Sequence, residues 1–183
     1  MSVRIAYVLY GHDNDSYGLE SAIDLRRCSH CGELLERPFF LPNFQLKKKR
    51  DVSATYDGYT VVSQRFVDTW RECCGEGLVF TELPTENGYF LVDADRIVEF
   101  DAKRRKTRFE KHKSCCNRYS AVAGATPAFL KHPETLNDLE AVKTDIHFGG
   151  GDAKHPLIII PMKIGDSMKK AKLSGLDLSD VLA

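Results

Sequence analysis

Two cysteines separated by two residues, Cys28 and Cys31, are the residues whose type and spacing most clearly indicate chemistry in this 183-residue chain. Gly32 follows directly, so the stretch has the C-x-x-C-G pattern of a zinc knuckle. The spacing lets both thiolates face one ion, and the glycine permits the tight turn that presents the sulfurs. Two thiolates do not complete a four-coordinate zinc site, so we expect the other ligands from a different part of the chain.

The remaining cysteines form two adjacent pairs, Cys73-Cys74 and Cys115-Cys116. The first pair follows a predicted amphipathic helix, and its periodicity places Cys74 on the side that faces the core. Free cysteines are among the most frequently buried residues, so this pair is interpreted as part of the core. The later pair is therefore the expected source of the second half of the metal site.

One position of the predicted site has two candidate ligands. Successive side chains of an extended segment point apart, so the backbone must bend locally for adjacent cysteines to bind one ion. A histidine a few residues earlier can replace one of them, because imidazole is also a common zinc ligand. The sequence thus predicts one structural zinc ion held by Cys28, Cys31 and Cys116, with Cys115 or His112 as the fourth ligand. The alternative is that all six cysteines are ordinary reduced thiols.

The composition indicates a soluble globular protein, with 43% hydrophobic and 28% charged residues. The 26 basic and 26 acidic residues give a formal net charge of zero, which argues against a general affinity for nucleic acid or for an anionic membrane. No apolar run reaches the roughly 18 residues of a membrane span, and the first residues lack a signal-peptide pattern. We therefore expect a cytoplasmic protein, in which cysteines are metal ligands or core thiols more often than disulfides.

A strand–helix–strand pattern occurs twice, in segments of about 59–83 and 157–181 that align without a gap at an offset of 98 residues. Ser63 is the expected N-cap of the first helix, and Pro161 can begin the second. Gly77 and Gly175 occupy matching positions where the end of a helix favours a residue with positive φ.

Three short strand signals lie between these units, at 89–92, 97–100 and 107–110, and charged turn residues join them into a predicted antiparallel meander. The predicted fold is therefore α+β: two related β-α-β units around a short meander. The segments of about 26–33 and 112–119 form the zinc-knuckle clip. One domain, 1–183, fits this length.

The cysteine pattern resembles that of the double-CXXCG-motif proteins, a family best known from myxobacteria. The resemblance covers the chain from about Cys28 onward and rests on the segments 28–32, 116–119 and 175–178, with weaker support from 145–149 and 156–159. The chain departs from a second C-x-x-C-G at two positions: Lys113 stands where the first cysteine is expected, and Asn117 where the glycine is expected. Cys115 is then the candidate substitute ligand.

Family members have been associated with immunity to toxins that competing bacteria deliver to one another. The resemblance implies a non-catalytic cytosolic protein that binds and neutralises a cognate toxin. The main alternative is a zinc-ribbon nucleic-acid-binding or regulatory protein, suggested by the basic runs 47–50 and 103–106. An enzyme is the third class, with His147 and Asp145, or His112 and Cys115, as acid/base or nucleophile pairs. Neither pair has a recognisable third group, so no catalytic residues are assigned.

Overall fold

The computed structural model describes residues 3–21, 25–39 and 41–183. Within these residues it has twelve strands and three α-helices. The strands are β1 (Arg4–Asp13), β2 (Val52–Ala54), β3 (Thr60–Ser63), β4 (Leu78–Glu82), β5 (Tyr89–Ala94), β6 (Ile97–Val98), β7 (Arg108–Lys113), β8 (Arg118–Ala123), β9 (Ala128–Phe129), β10 (Val142–Gly150), β11 (His155–Pro161) and β12 (Leu176–Leu182). The helices are α1 (Gln64–Glu72), α2 (Ala102–Arg105) and α3 (Met162–Lys170), and short 3-10 turns lie at Leu19–Ser21, Pro133–Thr135 and Gly151–Ala153.

The strands form one mixed sheet in the order β4-β5-β3-β2-β1-β11-β10-β8-β7, with β12 on β1, β9 on β12 and β6 on β10. The strand β1 lies at its centre, antiparallel to both β11 and β12 and parallel to β2. Its apolar run is buried on both faces: Tyr7 and Leu9 belong to one core cluster, Ala6 and Val8 to another. A strand covered on both faces needs a continuous apolar sequence, which explains the strong signal of this segment.

The predicted α+β fold of two β-α-β units around a meander is wrong. The described residues are 17% helical and 41% strand, and the helices are short elements on a large mixed sheet. The two strands of each predicted unit are separated, since β5 lies between β3 and β4, and β1 lies between β11 and β12. The predicted meander does not form either, because β5 pairs with β3 and β4, β6 with β10, and β7 with β8.

The helix α1 begins and ends as local chemistry dictates. The hydroxyl of Ser63 accepts a hydrogen bond from the N–H of Phe66, so the expected N-cap is confirmed. Burial of Phe66, Val67 and Trp70 fixes the helix on the sheet. The prediction that Cys74 faces the core is wrong: α1 ends at Glu72 with Cys73 as its C-cap, and Cys74 adopts a φ of 56° and is exposed. Cys73, which is partly buried, packs on the core instead.

The second long helix, α3, ends in the same way. Lys172 follows it with a φ of 51°, as Cys74 follows α1. The expected positive φ is found at Gly77 (79°) and at Gly175 (74°), but both glycines lie at the start of the next strand and not at the helix end. A Cβ atom on Gly175 would lie 2.2 Å from the carbonyl oxygen of Val52, so close backbone approach also requires glycine there.

Candidate metal centre

The first knuckle is a tight turn closed by backbone hydrogen bonds. The N–H of Cys28 donates to the carbonyl of Glu33 at 2.8 Å, and the N–H of Gly32 donates to the carbonyl of Cys28 at 2.9 Å. Gly32 has a φ of 71°, a conformation that a glycine adopts without strain. Next to this turn, Arg27 and Leu34 form an isolated antiparallel β-bridge. These contacts turn Cys28 and Cys31 toward one point, as the sequence spacing predicts.

The second knuckle is the turn of the β7–β8 hairpin. The N–H of Cys116 donates to the carbonyl of Lys113 at 3.3 Å, and Asn117 has a φ of 53°. Asparagine is one of the few residues other than glycine that visits the left-handed region routinely, so Asn117 replaces the glycine of a C-x-x-C-G turn. The local bend also moves Cys115 out of the extended conformation that would direct neighbouring side chains apart.

The four cysteines that were predicted as ligands lie together. Their sulfur atoms all fall within 4.8 Å of one another, so the group can hold a metal ion. The Sγ atoms of Cys28 and Cys115 are 3.8 Å apart, and those of Cys31 and Cys116 are 3.7 Å apart. A tetrahedral zinc site with Zn–S bonds of about 2.3 Å has S–S edges of about 3.8 Å. These two distances therefore have the values that a tetrahedral tetrathiolate site requires.

The replacement ligand His112 lies outside this cluster. Its Nε2 atom is 2.9 Å from Oδ1 of Asn117, and its ring packs on Tyr119 with centroids 5.0 Å apart. The early pair, Cys73 and Cys74, is not part of the cluster either. The geometry thus favours Cys115 over His112 as the fourth ligand.

The protein environment affects the thiols unequally. The backbone N–H groups of His30 and Cys31 lower the pKa of Cys28 to about 7. A hydrogen bond to Cys31, followed by burial, raises the pKa of Cys115 to about 12. Burial also raises the pKa of Cys116. Four thiolates repel one another at these distances, so a bound dication is what would stabilise all of them in the ionised form.

A buried carboxylate joins the two knuckles beside the thiols. Glu33 is only 5% exposed, and its Oε2 atom accepts a hydrogen bond from Nζ of Lys113 at 2.8 Å. Its other oxygen binds the ammonium group of Lys154. Burial acts to raise the pKa of Glu33, but the hydrogen bonds from both lysines outweigh it and lower the pKa. This triad was not predicted from the sequence. The signal for it was Lys113, which stands where a second C-x-x-C-G motif has its first cysteine.

The two residue pairs that were considered as catalytic pairs each contain a side chain that bonds to another group. Oδ1 of Asp145 accepts a hydrogen bond from the N–H of Phe100 at 2.9 Å, while His112 binds Asn117. His147 lies on a cleft that runs beside the metal centre.

A scan of the chain against protein-family models finds no match, and a search of curated proteins finds none. In the part of the chain that the structure describes, no helix has the length and apolar character needed to cross a membrane.

Proposed function

We propose that Cys28, Cys31, Cys115 and Cys116 bind one structural zinc ion, and that the chain acts by binding another protein. The observation that carries this proposal is the meeting of two knuckles whose thiols are 87 and 85 residues apart in sequence. Four soft sulfur ligands within 4.8 Å of one another, two pairs of them near the length of a tetrahedral edge, favour zinc. The closed set leaves no coordination position for water or substrate, so the ion serves the fold and not a reaction.

The specific role that we propose is neutralisation of a cognate bacterial toxin in the cytoplasm. The support is the resemblance to the double-CXXCG-motif family together with the balanced charge of the chain. A tetrathiolate clip fits a protein of this kind, because binding of the metal would contribute on the order of 10 kcal/mol to folding. A rigid surface then loses little conformational entropy on binding its partner.

The experiment for this role is a protection assay in a bacterial host. The host produces a candidate toxic domain, with and without the chain itself. We expect the wild-type chain and the Cys74→Ser variant to restore growth and to form a complex with the toxin, because Cys74 is exposed and lies outside the thiol cluster. Cys28→Ser should protect poorly. Growth arrest with the wild-type chain present, together with no complex on a sizing column, would contradict the proposal.

The nucleic-acid-binding alternative is less well supported because the two basic runs are engaged within the protein. Lys48 and Lys49 form ion pairs with Asp15 and Glu86, respectively. In the second run, the guanidinium of Arg104 lies over the ring of Phe129, 4.4 Å from its centroid. A mobility-shift assay at two salt concentrations tests this alternative, since a phosphate-driven complex weakens steeply with salt.

A further inference from the structure

A cleft of about 740 Å³ lies beside the metal centre, between the segment 34–39, the hairpin turn and the strands β10 and β11. This volume is within the range of sites that bind small molecules. Apolar and aromatic side chains contribute much of the lining, among them Tyr59, Leu91, Phe109, Tyr119 and Ile158. Phe109 and Tyr119 are partly exposed, and their rings contact each other in a tilted arrangement with centroids 4.8 Å apart. The cleft therefore offers a surface for an aromatic or aliphatic group.

Two guanidinium groups of the lining have no carboxylate partner among the described residues. Arg37 donates to the carbonyl oxygens of Asp152 and Lys154 at 2.9 and 3.0 Å, and to that of Asp57 at 2.6 Å. Its guanidinium also lies 4.2 Å from the ring centroid of Tyr59. Carbonyl oxygens satisfy its hydrogen bonds but do not neutralise its charge.

The second group is Arg118, at the start of β8. One of its nitrogens donates to the carbonyl of Leu35 at 2.5 Å, and no other protein acceptor is found for it within the described residues. His147 lies close to both guanidinium groups: burial, followed by the positive charges of Arg118 and Arg37, lowers its pKa to about 4. This imidazole is consequently neutral at physiological pH and does not add to the charge of the cleft.

The acidic groups of the lining already have partners. Asp93 pairs with Lys143 at 2.6 Å, and Asp152 pairs with Arg27 at 2.7 Å. Glu36 pairs with Arg26, and Asp145 accepts the N–H of Phe100. These contacts leave Arg118 without a carboxylate partner among the described residues, whereas the carboxylates of Asp57 and Asp152 lie near enough to Arg37 to act on its charge. A partly enclosed pair of guanidinium groups is a strong recognition site for an anion.

We propose that this cleft binds a small organic acid, with its carboxylate held by Arg118 and Arg37 and its apolar or aromatic part placed against Tyr119 and Phe109. A carboxylate fits better than a phosphate dianion, because Asp145 and Asp152 also line the cleft and repel a second negative charge. The ligand site is independent of the toxin-binding role and does not involve the metal ion.

The test is a binding titration followed by NMR signals of the arginine and histidine side chains in the full, metal-loaded chain. The probes are 3-phenylpropionate, its neutral amide and inorganic phosphate. We expect 3-phenylpropionate to shift the signals of Arg118 and His147 in a saturable manner and the amide to leave them unchanged. Equal effects of acid and amide, no effect of the acid, or tighter binding of phosphate would each overturn the proposal.

Two substitutions, each with a control variant, separate effects on binding from effects on folding. Arg118→Gln should weaken binding of 3-phenylpropionate about tenfold or more, while Arg71→Gln on the exposed side of α1 serves as the control. Because Arg118 also supports the hairpin, His147→Glu provides a second variant: it places a carboxylate in the cleft beside both guanidinium groups. His147→Glu should not bind 3-phenylpropionate, and His147→Gln should still bind it. Retention of full affinity in His147→Glu would contradict the proposed position of the carboxylate.

Discussion

The Nζ atom of Lys113 lies 2.8 Å from Oε2 of Glu33, and this ion pair joins the two knuckles at the position where a second C-x-x-C would supply its first thiolate. At this position the hairpin has a salt bridge to the opposite knuckle. Cys115, two residues later, lies with the other three thiols, and the local bend around Asn117 allows this. The departure from a second C-x-x-C-G motif therefore still leaves four thiols together.

Glu33→Gln should destabilise the fold, because it leaves Lys113 and Lys154 without the carboxylate that both contact. The side chain of Glu33 is 4% exposed, so the loss should be about 3 kcal/mol in the free energy of unfolding measured with urea. Glu99→Gln is the control, since Glu99 pairs with Lys131 on the surface and should change stability little. Equal stability of the two variants would show that the buried triad does not hold the knuckles together.

Asn117 should tolerate replacement by glycine and not by a β-branched residue. Its φ of 53° is strained for valine, so Asn117→Val should lower the free energy of unfolding by about 1–2 kcal/mol. Asn117→Gly should fold and keep the metal. Ser114→Val, in the same turn, is the matched control. If valine is as well tolerated at 117 as at 114, the left-handed turn is not what places the thiols.

Gly175 should be far more sensitive to alanine than Gly88, although both have a positive φ, of 74° and 77°. A Cβ atom on Gly175 would lie 2.2 Å from the carbonyl oxygen of Val52, whereas one on Gly88 would meet nothing within 4 Å. Gly88→Ala should cost about 1 kcal/mol of stability from strain alone, and Gly175→Ala clearly more because backbone must move. Thermal unfolding of the two variants measures the difference. Similar melting temperatures would contradict the close approach.

His147 should make the protein less stable in mild acid. Burial, and then the charges of Arg118, Arg37, His155 and Lys143, lower its pKa from 6.5 to about 4. Between these values the unfolded chain binds a proton at this residue that the folded chain does not, so stability increases with pH through this window and levels off above it. Urea unfolding at several pH values should show a shallower slope for His147→Asn than for the wild type. Identical slopes would mean that the folded protein does not perturb this histidine.

Features that depend on local chemistry were predicted correctly from the sequence. The C-x-x-C-G turn, the cap at Ser63 and the apolar face containing Trp70 all depend on residues a few positions apart, and all three are found in the structure. The pairing of Cys115 and Cys116 with the early knuckle was also predicted correctly, because only two cysteine pairs were available. Cys74 was predicted to face the core, but α1 ends at Glu72 and Cys74 itself adopts the left-handed conformation, so its side chain is exposed.

The pairing of the strands could not be predicted from the sequence. The insertion of β1 between β11 and β12, and of β5 between β3 and β4, depends on contacts between distant segments that leave no periodic signal. Glu33 and Lys154 form an ion pair although they are 121 residues apart in sequence, so no local pattern predicts this contact. The single-domain organisation, the family resemblance and the cytoplasmic location stay predictions.

The most direct test of the proposed zinc clip is native mass spectrometry of the protein purified without added metal. The account predicts an intact mass that exceeds the chain by one zinc ion and falls to the bare chain in Cys28→Ser and in Cys115→Ser. His112→Ala and Cys74→Ser should keep the ion, because both residues lie outside the thiol cluster. A bare wild-type chain with six alkylatable thiols, or a zinc ion lost from His112→Ala and kept by Cys115→Ser, would contradict the proposed centre.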